Sequence, residues 1–140
     1  MSAPAFSDFV VSTVSEGALG LLLAPGGWTS GAQARTVQGA AVKPEEDAAT
    51  SWCVCGALRR ASFMALRPSD EASRHRALHL AEVAGQHLAT TLMRDFGVEC
   101  PSRDARRALI EWNDVEGRDQ GEVVLLYRRT LGIEVEPEAA

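Results

Sequence analysis

Cysteine, lysine and long apolar runs are scarce in this 140-residue sequence. An odd number of cysteines without a secretory signal, here Cys53, Cys55 and Cys100, argues for reduced thiols in a cytoplasmic compartment. The longest candidate apolar run, Ala18 to Ala24, is far shorter than the roughly 20 residues that a membrane-spanning helix requires. The sequence therefore predicts a cytoplasmic protein that makes no use of a membrane.

Recognisable catalytic and cofactor-binding motifs are also missing. The pair Gly26-Gly27 lacks the lysine and the Ser/Thr of a phosphate-binding loop, and no nucleophile-elbow string is present. Cys53 and Cys55 are separated by a single residue, which is too few for a zinc knuckle. The net charge of −5 disfavours a basic surface for nucleic acid. We therefore expect no cofactor and no metal, and we do not expect nucleic acid as a partner.

What the sequence does contain is the composition of a globular protein, with 46% hydrophobic and 24% charged residues. The length fits a single domain over residues 1–140, which is long enough to bury a core of its own. We expect residues 1–6 and 134–140 to be flexible ends of that domain.

Apolar residues recur at helical spacing along most of the chain. This spacing predicts about five helices, over residues 7–22, 52–61, 69–96, from about 102 to the turn at 113, and 119–131. Ser7 and Ser69 are candidate N-caps, and Asp119 with Glu122 has the spacing of a capping box. Glycine-rich residues 28–44 predict a small β-hairpin or irregular insert. The predicted fold class is mainly α, in one compact, bundle-like domain.

Three short strings stand out from this helical background. They are GGWTxG (residues 26–31), WCxxGAL (52–58) and WNDxxGR (112–118), the last followed by Glu122-Val123. Their order resembles that of a family of small uncharacterised bacterial and phage proteins, a domain of unknown function (DUF6197-like), from about residue 15 to about residue 131. The resemblance implies a compact, mostly helical domain, and it implies no reaction, substrate or cofactor.

The WNDxxGR string has a structural and a functional interpretation. Asn, Asp and Gly favour turns, and Arg118 can reach Asp114 or the carbonyls of the preceding helix. We favour this structural turn. The alternative is a polar binding site, built from Asn113, Asp114 and Arg118 next to Trp112, that holds a phosphate or a metal. If the protein has a site that the sequence reveals, this string is the first candidate.

The WCxxGAL string also has two interpretations. Cys53 at a helix N-terminus is placed like a nucleophile whose pKa the helix dipole lowers, provided that a histidine lies nearby as a base. The alternative, which we favour, is that Trp52 and Cys53 pack in the core, since a buried cysteine behaves as a small hydrophobe.

The histidines are weak candidates for a metal site. His75 and His79 are one helical turn apart, a spacing that metal sites use, but Arg76 stands where the metalloprotease motif has its glutamate. We favour a solvated face for this pair. His87 lies at the margin of the apolar stripe, and we expect it to be partly buried.

Three functions follow from these features. The leading hypothesis is a non-enzymatic protein-interaction or regulatory module of bacterial or phage origin, which binds another protein or a second copy of itself. The second is a small hydrolase or transferase in which Asn113, Asp114 and Arg118 converge within hydrogen-bond reach, with Cys53 or His87 assisting.

The third hypothesis is a nucleic-acid-associated helical protein. It requires two arginine clusters to adjoin and form a basic patch. The clusters are Arg59-Arg60 and Arg103, Arg106 and Arg107.

Overall fold

Residues 6–99 and 104–133 are described by the computed structural model of the chain. Within these two ranges the fold is mainly α, as the sequence predicts, with one small antiparallel sheet. The elements in chain order are α1 (Asp8–Leu23), β1 (Ala34–Arg35), β2 (Ala41–Val42), β3 (Ser51–Trp52), α2 (Val54–Leu66), α3 (Glu71–Phe96), α4 (Ala105–Asn113) and α5 (Gln120–Leu131).

The sheet has the strand order β2-β1-β3 and two residues in each strand. Strands β1 and β2 form the hairpin predicted within residues 28–44, with Ala34 opposite Val42. Strand β3 corrects the sequence interpretation, because Trp52 lies in this strand and not in a helix. The Trp52 N–H donates to Gly27 O, and the Trp52 carbonyl accepts from Thr29 N–H. These bonds to the GGWTxG string, far away in sequence, keep the backbone at Trp52 extended.

Helix boundaries follow the capping signals in most places. Ser7 caps α1, and the predicted capping box of Asp119 and Glu122 opens α5. The N-cap of α3 is Asp70, one residue after the predicted cap Ser69, and its side chain accepts from Ser73 N–H. The start predicted near Ser102 lies outside the described residues; α4 is capped by Asp104.

The core lies where α1, α2, α3 and α5 pack together, and α4 covers one side of α3. Its largest fully buried side chain is Tyr127 of α5, whose hydroxyl donates to Val54 O at 2.6 Å. Phe6, assigned by the sequence to a flexible end, packs its ring against His79 of α3 at 5.7 Å between ring centroids. Residues 1–5 and 134–140, the other parts of the predicted ends, lie outside the described ranges.

The C-cap of α2 carries backbone strain. Arg67 lies in the left-handed region, at φ 45° and ψ 60°, and is exposed. A side chain with a Cβ costs about 1 kcal/mol there, so we expect Arg67→Gly to raise the free energy of unfolding by about 1 kcal/mol. Urea denaturation measures this directly. An unchanged or lower stability would mean that contacts of the arginine side chain exceed the strain.

Candidate functional site

The three strings meet at one buried side chain, Asn113, the last residue of α4. Its Oδ1 accepts from Trp28 Nε1 at 2.8 Å and from the Val54 N–H at 2.9 Å. Its Nδ2 donates to Thr29 O at 3.2 Å and to Asp114 Oδ1 at 2.9 Å. One amide therefore joins WNDxxGR to GGWTxG and to WCxxGAL, and all of its donors and acceptors have partners within the protein.

The glycines of the strings permit this close approach. A Cβ on Gly56 would lie 1.9 Å from Gln33 O, and a Cβ on Gly27 would lie 2.3 Å from Leu21 O. Gly31 has a positive φ of 76°, and its N–H donates to Asp114 Oδ1 at 2.9 Å. The contacts of Gly56 and Gly27 each join two backbone segments, and that of Gly31 holds its backbone to the Asp114 side chain, so all three are structural.

Arg118 turns back onto the helix that precedes it. Its Nε donates to Trp112 O at 2.9 Å, and its guanidinium carbon lies 4.0 Å from the centre of the Trp112 ring. Its Nη1 bonds Glu122 Oε2 at 2.6 Å. Of the two contacts that the structural turn allows for Arg118, the structure thus shows the one with a carbonyl of the preceding helix. Asp114 instead accepts at Oδ1 from Gly31 and Asn113.

Cys53 and Trp52 are both buried beside this network. The Cys53 sulfur is the N-cap of α2 and accepts from the Gly56 N–H at 3.2 Å. Burial raises the pKa of the Cys53 thiol, and the Gly56 hydrogen bond opposes this only in part. The thiol is therefore held neutral at physiological pH. Trp52 donates from Nε1 to Pro44 O at 3.0 Å.

A cleft that no motif of the sequence predicts lies between α2, α3 and α4. Its volume is about 300 Å³, at the lower end of the range for small-molecule sites. We call it the α2–α3–α4 cleft. Its apolar floor is made by Leu58, Leu78, Ala81, Gly85 and Leu109, and its polar lining by Gln33, Cys55, Arg59, Glu82 and Arg106.

The polar groups of the cleft differ in how they are paired. Arg59 bonds Glu45 at 2.6 Å, so its charge is largely offset. The Cys55 sulfur lies 3.9 Å from Arg106 O, and burial raises the pKa of this thiol strongly. Neither the guanidinium of Arg106 nor the amide of Gln33 has a side-chain partner among residues 6–99 and 104–133. The cleft thus combines an apolar floor with unpaired polar groups.

Residues 8–132 match the model of a family of unknown function, DUF6197. The chain belongs to the DUF6197 family. This confirms the family resemblance that the sequence suggested, and the match spans the five helices that the described residues form. No curated protein and no solved structure matches the chain. Family membership therefore assigns no activity.

The proposed catalytic residues are not all brought together. Asn113 and Asp114 bond each other, but Arg118 bonds Trp112 and Glu122 instead. His87, expected to be partly buried, is exposed on α3. In this member of the DUF6197 family, Asn113, Asp114 and Arg118 therefore form hydrogen bonds within the fold.

The paired histidines lie on a solvated face of α3. The side chain of His75 is 71% exposed and lies 3.9 Å from Glu71, and that of His79 is 56% exposed and lies 3.7 Å from Glu82. Within the part of the chain that the structure describes, no three His, Cys, Asp or Glu side chains gather as metal ligands. No helix in that part is both long enough and apolar enough to span a membrane.

The arginine clusters are largely engaged with acidic or carbonyl groups. Arg60 donates to Glu46 O at 2.9 Å, and Arg107 bonds Glu111 at 3.1 Å. Arg59 and Arg106 do adjoin, since both line the cleft. Arg103 lies outside the described ranges. Arg59 and Arg107 are thus paired with carboxylates, whereas Arg60 and Arg106 have no carboxylate partner in the described ranges. The clusters therefore keep only part of their positive charge for a phosphate backbone.

Glu45 ties the loop after β2 to two helices. It bonds Arg59 of α2 at 2.6 Å and Arg74 of α3 at 3.1 Å, and its side chain is 13% exposed. Burial by itself raises the pKa of the Glu45 carboxyl. The hydrogen bond from Arg59 and the charges of both arginines outweigh burial, so the pKa lies below its ordinary value of 4.5.

The ion pairs of Glu45 with Arg59 and Arg74 should make the stability of the fold sensitive to acid. A carboxyl with a lowered pKa in the folded state stabilises the fold above its unfolded pKa, and the stabilisation is lost as pH falls through the folded pKa. At pH 7 we expect Glu45→Gln to lower the free energy of unfolding by about 2 kcal/mol. The difference in free energy of unfolding between Glu45→Gln and the wild type should become smaller as pH falls below 4.5. Urea titrations at several pH values test this, and a difference that stays constant would contradict it.

Proposed function

We propose that this protein is a non-enzymatic interaction module that binds a partner protein in the α2–α3–α4 cleft. The observation that carries the proposal is the cleft itself, where an apolar floor meets the side chains of Arg106 and Gln33, which have no side-chain partner within the described ranges. The core of a protein interface is apolar, and arginine is enriched there. The reduced cysteines and the family resemblance favour action in the cytoplasm of a bacterium or a phage-infected cell.

Two further observations favour binding over catalysis. The side chains of WNDxxGR that suit a reaction centre form hydrogen bonds within the protein, as those of Asn113 and Arg118 do. A general base or nucleophile must be free to meet a substrate. Cys53 is buried with a raised pKa, which opposes thiolate formation.

A partner protein is also favoured over nucleic acid and over a second copy of the chain. Arg59, Arg60 and Arg107 have acidic or carbonyl partners, so phosphate contacts would have to displace them. The cleft is concave and walled by three helices, whereas a twofold dimer needs a surface that complements itself. Both alternatives remain outcomes of the experiment below.

Native mass spectrometry of the protein, purified without chelator from its own source, tests the proposal. We expect the wild-type chain to carry the mass of a second protein. Ala81→Phe fills the cleft and should lose that mass, while Gln86→Phe places the same ring on the exposed side of α3 and should keep it. Thermal unfolding of both variants checks that each is folded.

Three results would contradict the proposal. They are a partner retained by Ala81→Phe, an adduct of a metal or a small molecule in place of a protein, and a homodimer that both variants preserve. If a metal or a small molecule were bound, the polar atoms of WNDxxGR and the His75/His79 face would be the first candidates for its binding site.

A further inference from the structure

The chemistry of the α2–α3–α4 cleft defines what it can bind, and the inference below rests on the proposed function. The floor is aliphatic, with leucines from three different helices: Leu58, Leu78 and Leu109. A Cβ on Gly85 would meet Leu109 at 3.6 Å and Leu58 at 3.8 Å, so Gly85 lies beside both of these leucines. An aliphatic group of modest size therefore suits the floor.

Arg106 supplies positive charge to this apolar space. It is exposed, and no carboxylate in the described ranges forms an ion pair with it. Its neighbours differ, since Arg107 bonds Glu111 at 3.1 Å and Arg59 bonds Glu45 at 2.6 Å. A guanidinium with free donors binds a carboxylate by paired hydrogen bonds.

Gln33 supplies a neutral amide at the same rim. Its backbone oxygen accepts from Cys53 N–H, but its side chain has no hydrogen-bond partner in the described part of the chain. A primary amide both donates and accepts, which matches a peptide group and not a hydrocarbon chain. This favours a polypeptide occupant over a free fatty acid.

Glu82 limits the charge of the occupant. It lines the cleft from α3, its side chain is 65% exposed, and its only ionic neighbour in the described ranges is His79 at 3.7 Å. A second carboxylate on the occupant would therefore be repelled. The rim offers one unpaired cation and one acid.

We propose that the cleft binds a segment of the partner protein in which an aliphatic side chain lies next to one carboxylate. The aliphatic side chain fills the space above Leu58 and Leu109, the carboxylate pairs with Arg106, and the Gln33 amide bonds a peptide group of the segment. Glu82 disfavours segments that carry further acids.

Simple probes separate these contributions in the intact protein. N-acetyl-leucine carries the aliphatic group, the peptide group and the carboxylate; N-acetyl-leucinamide lacks the carboxylate; octanoate lacks the peptide group. We expect titrations followed by amide NMR to show N-acetyl-leucine saturating at the cleft, with the other two binding about tenfold more weakly.

Three variants assign the roles of the charged residues. Arg106→Gln should weaken N-acetyl-leucine about tenfold and leave N-acetyl-leucinamide unchanged, so that the two bind alike. Arg107→Gln is the matched control on the same helix, outside the cleft, and should bind as wild type does. Glu82→Gln should bind N-acetyl-leucine about threefold more tightly, because a repulsion is removed.

Opposite results overturn the inference. The pairing of a carboxylate with Arg106 is contradicted if the wild type binds N-acetyl-leucine and N-acetyl-leucinamide equally. It is also contradicted if Arg106→Gln binds N-acetyl-leucine with unchanged affinity. Tighter binding of octanoate than of N-acetyl-leucine removes the polypeptide assignment, and no binding of any probe removes the site. The proposed function is judged separately, since a partner lost on filling the cleft by Ala81→Phe supports it whichever probe binds.

Discussion

Replacing Asn113 by alanine is expected to lower the free energy of unfolding by about 3 kcal/mol, one of the two largest effects that the structure predicts. The Val54 N–H is buried and would lose its acceptor, as would Trp28 Nε1. Leaving a buried donor unpaired costs about 1–3 kcal/mol, and the removed side chain also leaves a cavity. The three strings would lose their common contact.

Chemical denaturation of Asn113→Ala measures this loss, and the neighbouring residue provides the control. Asp114→Asn keeps an oxygen that accepts from Gly31 and Asn113, so it should cost less than about 1 kcal/mol. If Asn113→Ala were as stable as wild type, the network would contribute nothing to folding, and its polar atoms would have to be explained by a binding or catalytic role.

The second large effect is expected at Gly56, near the start of α2. In Gly56→Ala the new Cβ would lie 1.9 Å from Gln33 O, a backbone atom that cannot rotate away. Either the 33–34 segment or the helix must move, and this should cost about 3 kcal/mol or more. Chemical denaturation of soluble Gly56→Ala protein measures this loss of stability. Failure to obtain folded protein would show that the loss is large.

Gly20 is the matched control for Gly56. It is an exposed glycine inside α1, and beyond the adjoining backbone of its own helix no atom lies within 4 Å of the position of its Cβ. Gly20→Ala should therefore raise the free energy of unfolding by about 0.5–1 kcal/mol, from helix propensity alone. Replacing glycine by alanine is thus predicted to lower the free energy of unfolding at position 56 and to raise it at position 20. A stable Gly56→Ala protein would show that the approach of Gln33 to α2 is not tight.

Local signals in the sequence predicted much of the helical framework. Helix α1 begins after Ser7, and α5 opens with the capping box of Asp119 and Glu122, because caps act through neighbouring residues. Gly97 ends α3 in the left-handed region, at φ 67°, as a glycine after a helix commonly does. These features depend on contacts within a few residues, which a sequence displays.

The errors arise where long-range contacts decide the structure. The predicted helix over 52–61 begins at Val54 instead, because hydrogen bonds to Gly27 and Thr29 hold Trp52 in a strand. It also extends to Leu66, past the predicted end. The sequence presents Asn113 as a turn residue or a ligand, and no local signal indicates that it bonds two segments more than 55 residues away.

The cleft escaped prediction for a related reason. Leu58, Leu78 and Leu109 have the spacing of ordinary core residues, and only their placement on three helices shows that they surround a space. Arg106 was grouped with Arg107 as a basic cluster, although the fold gives one of them a carboxylate partner and leaves the other facing the cleft. A sequence alone does not separate these two arginines.

Photo-crosslinking at two positions tests most directly whether binding takes place in the cleft and not at the WNDxxGR turn. A benzophenone amino acid is placed at Glu82, an exposed residue of the cleft lining that does not fill its floor, or at Glu116, an exposed residue of the turn. The protein is then irradiated in its own cells. We predict a crosslink to a partner protein from position 82 and none from position 116. A crosslink from position 116 alone would contradict the account and assign the site to the turn.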